Sequence, residues 1–434
     1  MKKDQQGLFH SSKTEQQFLF YRTDEIAVDE KSGDIQAVLP GLSAGSSFFD
    51  RIAAEVTPLE SFGVLAVRMD EHADGGKPQP EDALGIAEVL TAFCKTESCL
   101  LGQLDTFLFA CVFPEKDRGD CVKAAGQIQQ KISETGKNTV SVGIAVYPTL
   151  LFGKDQIIDN ARKALDHAAF LGPNSTVVLD SVTLNISGDH FYQHKDMEKA
   201  VAEFTAALDL DPNNINVHNS LGVCYGVMGD FEKAIAHFET AVSLDPGEEM
   251  AWYNGGLVLK LTRNPQKALE YFLKAGALNP TRFEVAYQTG KIYMDLELTE
   301  KARPYFERAI TLKPENGSGY RFLGECHTEL GLIEQAISAF KRAIKENPQD
   351  SASLSALGFL FDKKGENPEI SILFCQQSVD ISPENGLFRL RLGHLYTKLN
   401  KFKNALAEFE SASELGIDAS EDIRKVKALI NPLP

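Results

Sequence analysis

Four side chains in the first quarter of the chain are the obvious candidates for chemistry on an ionic substrate. They are Arg68 and Asp70 in "LAVRMDEH", and Asp105 and Thr106 in "LLGQLDTFLFACVF", which runs from Leu100 to Phe113. No nucleophile–base pair can be built from these four. Asp105 and Thr106 stand where two apolar runs would turn into a hairpin, and aspartate at such a bend is first of all a turn former. His190 and His194 lie four apart, a spacing that can hold a metal on one helix face. They lack an HExxH context, and His190 falls on the packed side of its helix, so no metal is expected there. "DGGKPQP" imitates a glycine–lysine phosphate loop without GxxxxGK[ST] spacing, and its prolines remove backbone donors, so a surface loop is expected. The seven cysteines, at 94, 99, 111, 121, 224, 326 and 375, form no CxxC pair. They are expected as reduced, mostly buried thiols rather than a disulfide frame or a zinc site.

The bulk composition narrows the partners. The chain has 434 residues, 43% hydrophobic and 24% charged, with a formal net charge of −17. An acidic chain with no Lys/Arg run is not expected to bind nucleic acid. No apolar stretch reaches the 18 or so residues of a membrane span, and the start has no apolar run behind its lysines. A cytoplasmic protein without membrane insertion is expected.

The elements that must carry these residues fall into two patterns. From residue 63 to 180, strands and helices alternate. "GVLAVRM" reads as a buried strand, "EDALGIAEVLTAF" as an amphipathic helix, and Leu100–Phe113 as the hairpin. "CVKAAGQIQQKI", "TVSVGIAVYP", "IIDNARKALDHAAFLG" and "STVVLD" follow as helix, strand, helix and strand. That order implies an α/β sheet covered by helices. Residues 1–38 are less readable; "QQFLFYRTDEIAVDEKSGDIQAVL" allows a hairpin around "DEKSGD".

From Ser181 onward the chain repeats itself. Prolines recur every 34 residues at 212, 246, 280, 314 and 348, then at 383. Phe204, Phe238, Phe272, Phe306 and Phe340 keep step with them, as do Ala200, Ala234, Ala268, Ala302 and Ala336. A glycine marks each first helix: Gly188, Gly222, Gly256, Gly290, Gly324, Gly358 and Gly393. Such units bury their apolar faces only by stacking. The pattern resembles the tetratricopeptide (TPR) repeat, with seven units over residues 181–417 and a capping helix and tail over 418–434. Ser371 and Cys375 replace the expected Ala and Phe in the sixth unit. Register places Trp252, Cys224 and Cys326 in packed positions.

Residues 39–180 resemble the GGDEF diguanylate cyclase family. "LPGLSAGSSFFDRI" is similar to that family's opening motif, "SVGIAVYP" to its Ser-x-Gly strand, and "ARKALDHAAFLGPNSTVV" to its penultimate helix and last strand. The resemblance implies the α/β nucleotide-cyclase fold and also implies that its chemistry is gone. Arg68 stands at the position of the first metal-binding carboxylate. Gln103, Leu104, Asp105 and Thr106 stand in place of the signature's glycines and acids, and Ala169 replaces the lysine of the penultimate helix. "CKTE" replaces the inhibitory Arg-x-x-Asp. A guanidinium about 4 Å from a divalent ion, at an effective dielectric of about 20, is repelled by roughly 8 kcal/mol. No catalysis and no cofactor are expected.

The expected function is that of a non-catalytic interaction scaffold, with a protein or peptide in the TPR groove and the cyclase-like region as a docking or homodimerising module. A guanine-nucleotide or cyclic-dinucleotide sensor and a residual cyclase remain alternatives. In the TPR family the first helix of each unit exposes its second, fifth, ninth and twelfth positions to the groove. Here these include Asn219, Tyr253, Tyr287, Arg321 and Ser355 at the fifth, Lys291, Glu325 and His394 at the ninth, and Lys260 at the twelfth. Two tyrosines beside three cations would form an aromatic and cationic strip suited to an extended segment with acidic and apolar residues.

Overall fold

The computed structural model describes residues 39, 42–71, 79–136, 138–150, 152–366 and 368–431. The hairpin expected around "DEKSGD" and most of the "DGGKPQP" loop lie outside the described residues. The chain divides into two compact units, residues 1–246 and 247–434.

The first unit is built on a six-stranded sheet of order β1-β3-β4-β2-β5-β6. The strands are β1 (Ser43–Ala44), β2 (Phe62–Met69), β3 (Leu100–Asp105), β4 (Leu108–Pro114), β5 (Val140–Tyr147) and β6 (Thr176–Val178). The central strand β2 pairs antiparallel with both β4 and β5. Its alternation explains why it reads as an unbroken apolar run, because both faces are covered. Leu65, Val67 and Met69 face a core closed by α2 (Pro80–Glu97) and α3 (Arg118–Thr135). Phe62, Val64 and Ala66 face the other, closed by α1 (Ser46–Val56) and α4 (Ile157–Ala169). Gly143 explains the glycine of "SVGI": a Cβ there would sit 2.1 Å from the Ala161 carbonyl oxygen and the Leu165 nitrogen, so only glycine lets α4 lie this close.

One expectation about the cysteines is corrected. Cys94 and Cys99 form a disulfide, while Cys111, Cys121, Cys224, Cys326 and Cys375 are free and buried. Ser98 caps α2 in the left-handed conformation and turns the chain back, bringing the fifth residue on beside Cys94. A search for CxxC spacing does not see that turn.

The helix pairs begin at α5 (Ser181–Gln193) and α6 (Met197–Leu210), followed by α7 (Ile215–Met228) and α8 (Phe231–Leu244). Asp180 starts the first of them by accepting from the Thr183 nitrogen at 2.7 Å and its hydroxyl at 2.8 Å. The break between the two compact units falls after α8, inside the run of repeats, rather than at residue 180. The reason is a shared core: Leu184, Ala200, Phe204, Leu221 and Cys224 belong to the same cluster as Val64, Ile158 and Leu165 of the sheet region. Lys163 of α4 and Glu203 of α6 add an ion pair at 2.5 Å, with both side chains mostly buried.

The second unit holds α9 (Glu249–Leu261), α10 (Pro265–Leu278), α11 (Phe283–Asp295), α12 (Thr299–Leu312), α13 (Gly317–Glu329) and α14 (Ile333–Glu346). It continues with α15 (Ser351–Lys364), α16 (Pro368–Ile381), α17 (Gly386–Lys398), α18 (Phe402–Glu414) and α19 (Ser420–Ile430). The recurring Gly and Phe are two halves of one contact. A Cβ on Gly188, Gly222, Gly256, Gly290, Gly324 or Gly393 would lie 2.4–2.9 Å from the ring of the Phe sixteen residues later. In the sixth unit the ring is replaced by the Cys375 sulfur at 2.6 Å, with the Ser371 carbonyl oxygen at 2.7 Å. A smaller partner there lets the two backbones close in, and Ser371, Cys375 and Ser378 are all buried in the space that remains.

Candidate functional site

Arg68, Asp70 and Asp105 each have partners within the sheet region, whereas both polar atoms of the Gln103 side chain are buried without a hydrogen-bond partner. Arg68 lies on the α4 face of β2, and its guanidinium donates to Asp166 Oδ1 at 3.0 Å. Asp70, just past the strand end, accepts from three donors: Thr139 Oγ1 at 2.8 Å, Ser141 Oγ at 2.6 Å and the Asn174 nitrogen at 2.8 Å. Asp105 accepts from the Thr106 nitrogen at 2.5 Å, closing the hairpin turn. Gln103 is 1% and Leu104 8% exposed, so both side chains are packed into the fold. His190 and His194 lie tilted against each other with ring centroids 4.2 Å apart, and His194 Nδ1 is bonded to the His190 carbonyl oxygen at 2.8 Å. Burial, and then His194, lower the pKa of His190.

In the second unit, four of the groove positions come together. Tyr287 on α11 meets Phe322 on α13 edge-to-face at 5.7 Å and stacks on Phe283 at 5.5 Å. The Lys291 ammonium lies 5.6 Å from the Tyr287 ring centre and 5.2 Å from that of Phe322. Arg321 lies over Phe322 at 4.8 Å and reaches Asp350 at 3.5 Å and Glu325 at 3.8 Å. Burial raises the pKa of Glu325, and Arg321 holds it back down in part. Phe322, at the sixth position, is not one of the four register positions that face the groove in this family, yet its ring is the floor on which both cations rest.

Lys260 extends this set from α9. It donates to Gln288 Oε1 at 3.0 Å. Its pKa is pushed down to about 8, first by burial and then by the charge of Lys291; Asp295 offsets this in part.

The remaining groove candidates sit elsewhere. Tyr253 is 3% exposed and packs against Phe272 at 5.9 Å, so it is a core ring and not part of an open strip. Burial raises its phenol pKa. Asn219 is buried in the first unit, and Ser355 is fully buried and accepts from Arg391 at 3.0 Å. These three belong to the fifth position, and in their units the neighbouring residues cover the side chain. His394 is exposed and bridges to Asp422 of α19 at 3.3 Å, tying the last repeat to the terminal helix. Phe359, 40% exposed under Arg391 at 5.1 Å, occupies a ninth position that the register itself could have supplied. Trp252 is half-buried, edge-on to Tyr271 at 4.8 Å. Among the described residues no helix is long and apolar enough to cross a membrane.

Comparison with known proteins places matches on the helical part. Tetratricopeptide repeat models match residues 215–248, 287–351 and 388–415, and a TPR repeat model matches 188–229. No curated protein matches the sequence. Similar solved structures include YrrB, described as a TPR protein with an unusual peptide-binding site, at 22% identity, 43% of this chain, 95% of that one and a TM-score of 0.40. MamA is similar at 26% identity over 39% of this chain and 93% of that one, with a TM-score of 0.37. Pseudomonas aeruginosa pilF is similar at 18% identity over 50% and 97%, with a TM-score of 0.43. With the matched segments spread along helix pairs that all repeat one glycine–phenylalanine contact, the helical region is an array of tetratricopeptide repeats.

Proposed function

We propose that the protein is a non-catalytic interaction scaffold that holds an extended protein segment on the first-helix face of its second unit. The observation that carries this reading is the strip of Tyr287, Lys291, Arg321 and Phe322, where half-buried rings lie under cationic groups. Aromatic residues and arginine with partial burial are favoured anchors for a protein ligand. The sheet region is, in this reading, a worn GGDEF-type domain. Its support is the central antiparallel strands, the hairpin at Leu100–Pro114 and the glycine of β5 under α4. It acts as a docking module and as cover for the first repeats, with which it shares a core. Self-pairing through this region belongs to the same proposal, and sedimentation of the full chain tests it.

The test of the groove is the affinity of a partner captured by the full chain for a variant with Tyr287, Arg321 and Phe322 all changed to Ala. A loss of more than about tenfold is expected if two or three anchors contribute roughly 1 kcal/mol each. Unchanged affinity with an intact fold excludes this face. The test of the sheet region is incubation with GTP and magnesium or manganese. No cyclic dinucleotide is expected, because Arg68 and Asp70 already have partners within the fold. Turnover above a no-enzyme control, lost on changing Asp70 or Asp105, overturns that part.

A further inference from the structure

We propose that Cys94, Cys99 and Cys111 form a three-sulfur site which, once the Cys94–Cys99 disulfide is reduced, binds a trivalent thiophilic metalloid in the form of arsenite. The site lies in the first unit and rests on none of the groove residues.

The sulfur atoms of these three residues all lie within 4.8 Å of one another. A bond of about 2.3 Å from each sulfur to a common centre places three sulfurs roughly 3.5–4 Å apart, so small side-chain rotations suffice. The backbone holds the arrangement. The Cys99 nitrogen donates to the Cys94 carbonyl oxygen at 3.1 Å, and the left-handed Ser98 turns the chain between them, so the pair stays together when the S–S bond is broken. Cys99 stands two residues before Leu101 and shares its face of the sheet, and Leu101 is paired with Cys111 across β3 and β4. The last turn of α2, the entry to β3 and the middle of β4 thus supply one sulfur each.

The surroundings select the ion. Cys94 is 5% and Cys111 0% exposed, in the core cluster that also holds Leu90, Phe93, Leu101 and Phe113. Net charge is costly in such a place. Three thiolates leave a negative complex with a monovalent or divalent ion and a neutral one with a trivalent ion. Zinc would also call for a fourth ligand, and the described His, Cys, Asp and Glu side chains supply none at this site.

Half-buried Cys99 is the point of entry. A thiol reductant attacks its sulfur, the S–S bond breaks, and the electron pair and a proton go to Cys94. A second reductant thiol then frees Cys99, so that two reductant thiols end as one disulfide. Arsenite enters as neutral As(OH)3. Three S–H and three As–O bonds break, three As–S and three O–H bonds form, and three waters leave with no change of oxidation state.

The experiment is native mass spectrometry of the full chain titrated with arsenite, untreated and after reduction by a phosphine, which offers no competing thiol. The reduced protein should take up one arsenic with loss of three hydrogens and no oxygen retained; the untreated protein should take up none. That mass is read on the unaltered chain, so it stands whatever a variant does to folding. Cys111→Ala should bind at least about tenfold more weakly and keep one hydroxyl on the arsenic. Cys326→Ala, which alters a buried free thiol of the second unit, should match the parent. A hydroxyl retained in the parent adduct, or the same three-hydrogen adduct in Cys111→Ala, overturns the three-sulfur site. Equal uptake without reduction overturns the disulfide as its gate. Displacement of arsenite by equimolar zinc overturns the selection of a trivalent centre.

Discussion

Two sets of charged residues in this protein are completed in different ways. Around β2, Arg68 has Asp166, Asp70 has two hydroxyls and a backbone nitrogen, and Asp105 has the nitrogen of its own turn. On the face of α9, α11 and α13, Lys260 and Lys291 have a neutral amide and two rings at close range, and the charges of Asp295 and Glu325 act on them from farther away. A polar group whose partners all come from the fold contributes to folding and has little left for a ligand. A charged group that is partly buried with no carboxylate at close range burdens the fold. By this criterion Arg68, Asp70 and Asp105 serve the fold, and the proposed binding function is assigned to the repeat face.

The largest expected effect tests the structural side. Asp70→Ala leaves Thr139, Ser141 and the Asn174 nitrogen without their acceptor and should cost about 2–4 kcal/mol in denaturant unfolding followed by a probe in the sheet region. A neutral result would mean that the carboxylate is not structural. Next, Ala302→Leu inserts bulk at a fully buried position that packs beside Phe306 and should cost about 1–3 kcal/mol. Indifference would show that the packing that holds α11 and its tyrosine in place is not as tight as described.

Lys260→Met should act in the other direction. The drop from 10.5 to about 8 sets an upper bound of about 3 kcal/mol on the relief. After loss of the Gln288 hydrogen bond and allowance for residual exposure, a gain of about 1 kcal/mol at pH 7 is expected. The sign with pH follows from the folded value lying below the unfolded one. Below pH 8 both states are protonated and the burden is fully present. Between about 8 and 10.5 the unfolded chain holds the proton that the folded chain has released, so wild-type stability rises toward that of the variant. A paired thermal-melt series across that range measures it; a wild type that falls relative to the variant contradicts the assignment. The smallest effect is that of Arg68→Ala. Its ion pair with Asp166 is about one-third exposed at each end, so a loss of at most about 1 kcal/mol is expected by chemical denaturation.

Periodicity made the repeats legible. Gly, Phe and Ala at fixed intervals describe a contact that is local in sequence, between two helices joined by a short turn, and a 34-residue period reveals it without any knowledge of distant neighbours. The apolar strands and the turn at Asp105 were legible for the same reason, since each depends on residues within a few positions. What tertiary structure decided are contacts between residues distant in sequence or on separate elements. Arg68 meets Asp166 across 98 positions, and Asp70 meets Asn174 across 104. Cys99 reaches Cys94 only because Ser98 reverses the chain. Tyr253 and Tyr287 hold the same register position, yet one is buried on Phe272 while the other lies half-buried beneath Lys291. Register determines which way a side chain leaves its helix. The size of the residues on the next helix determines whether that side chain ends in the core or at the surface, and that depends on packing across elements that no single stretch of sequence contains.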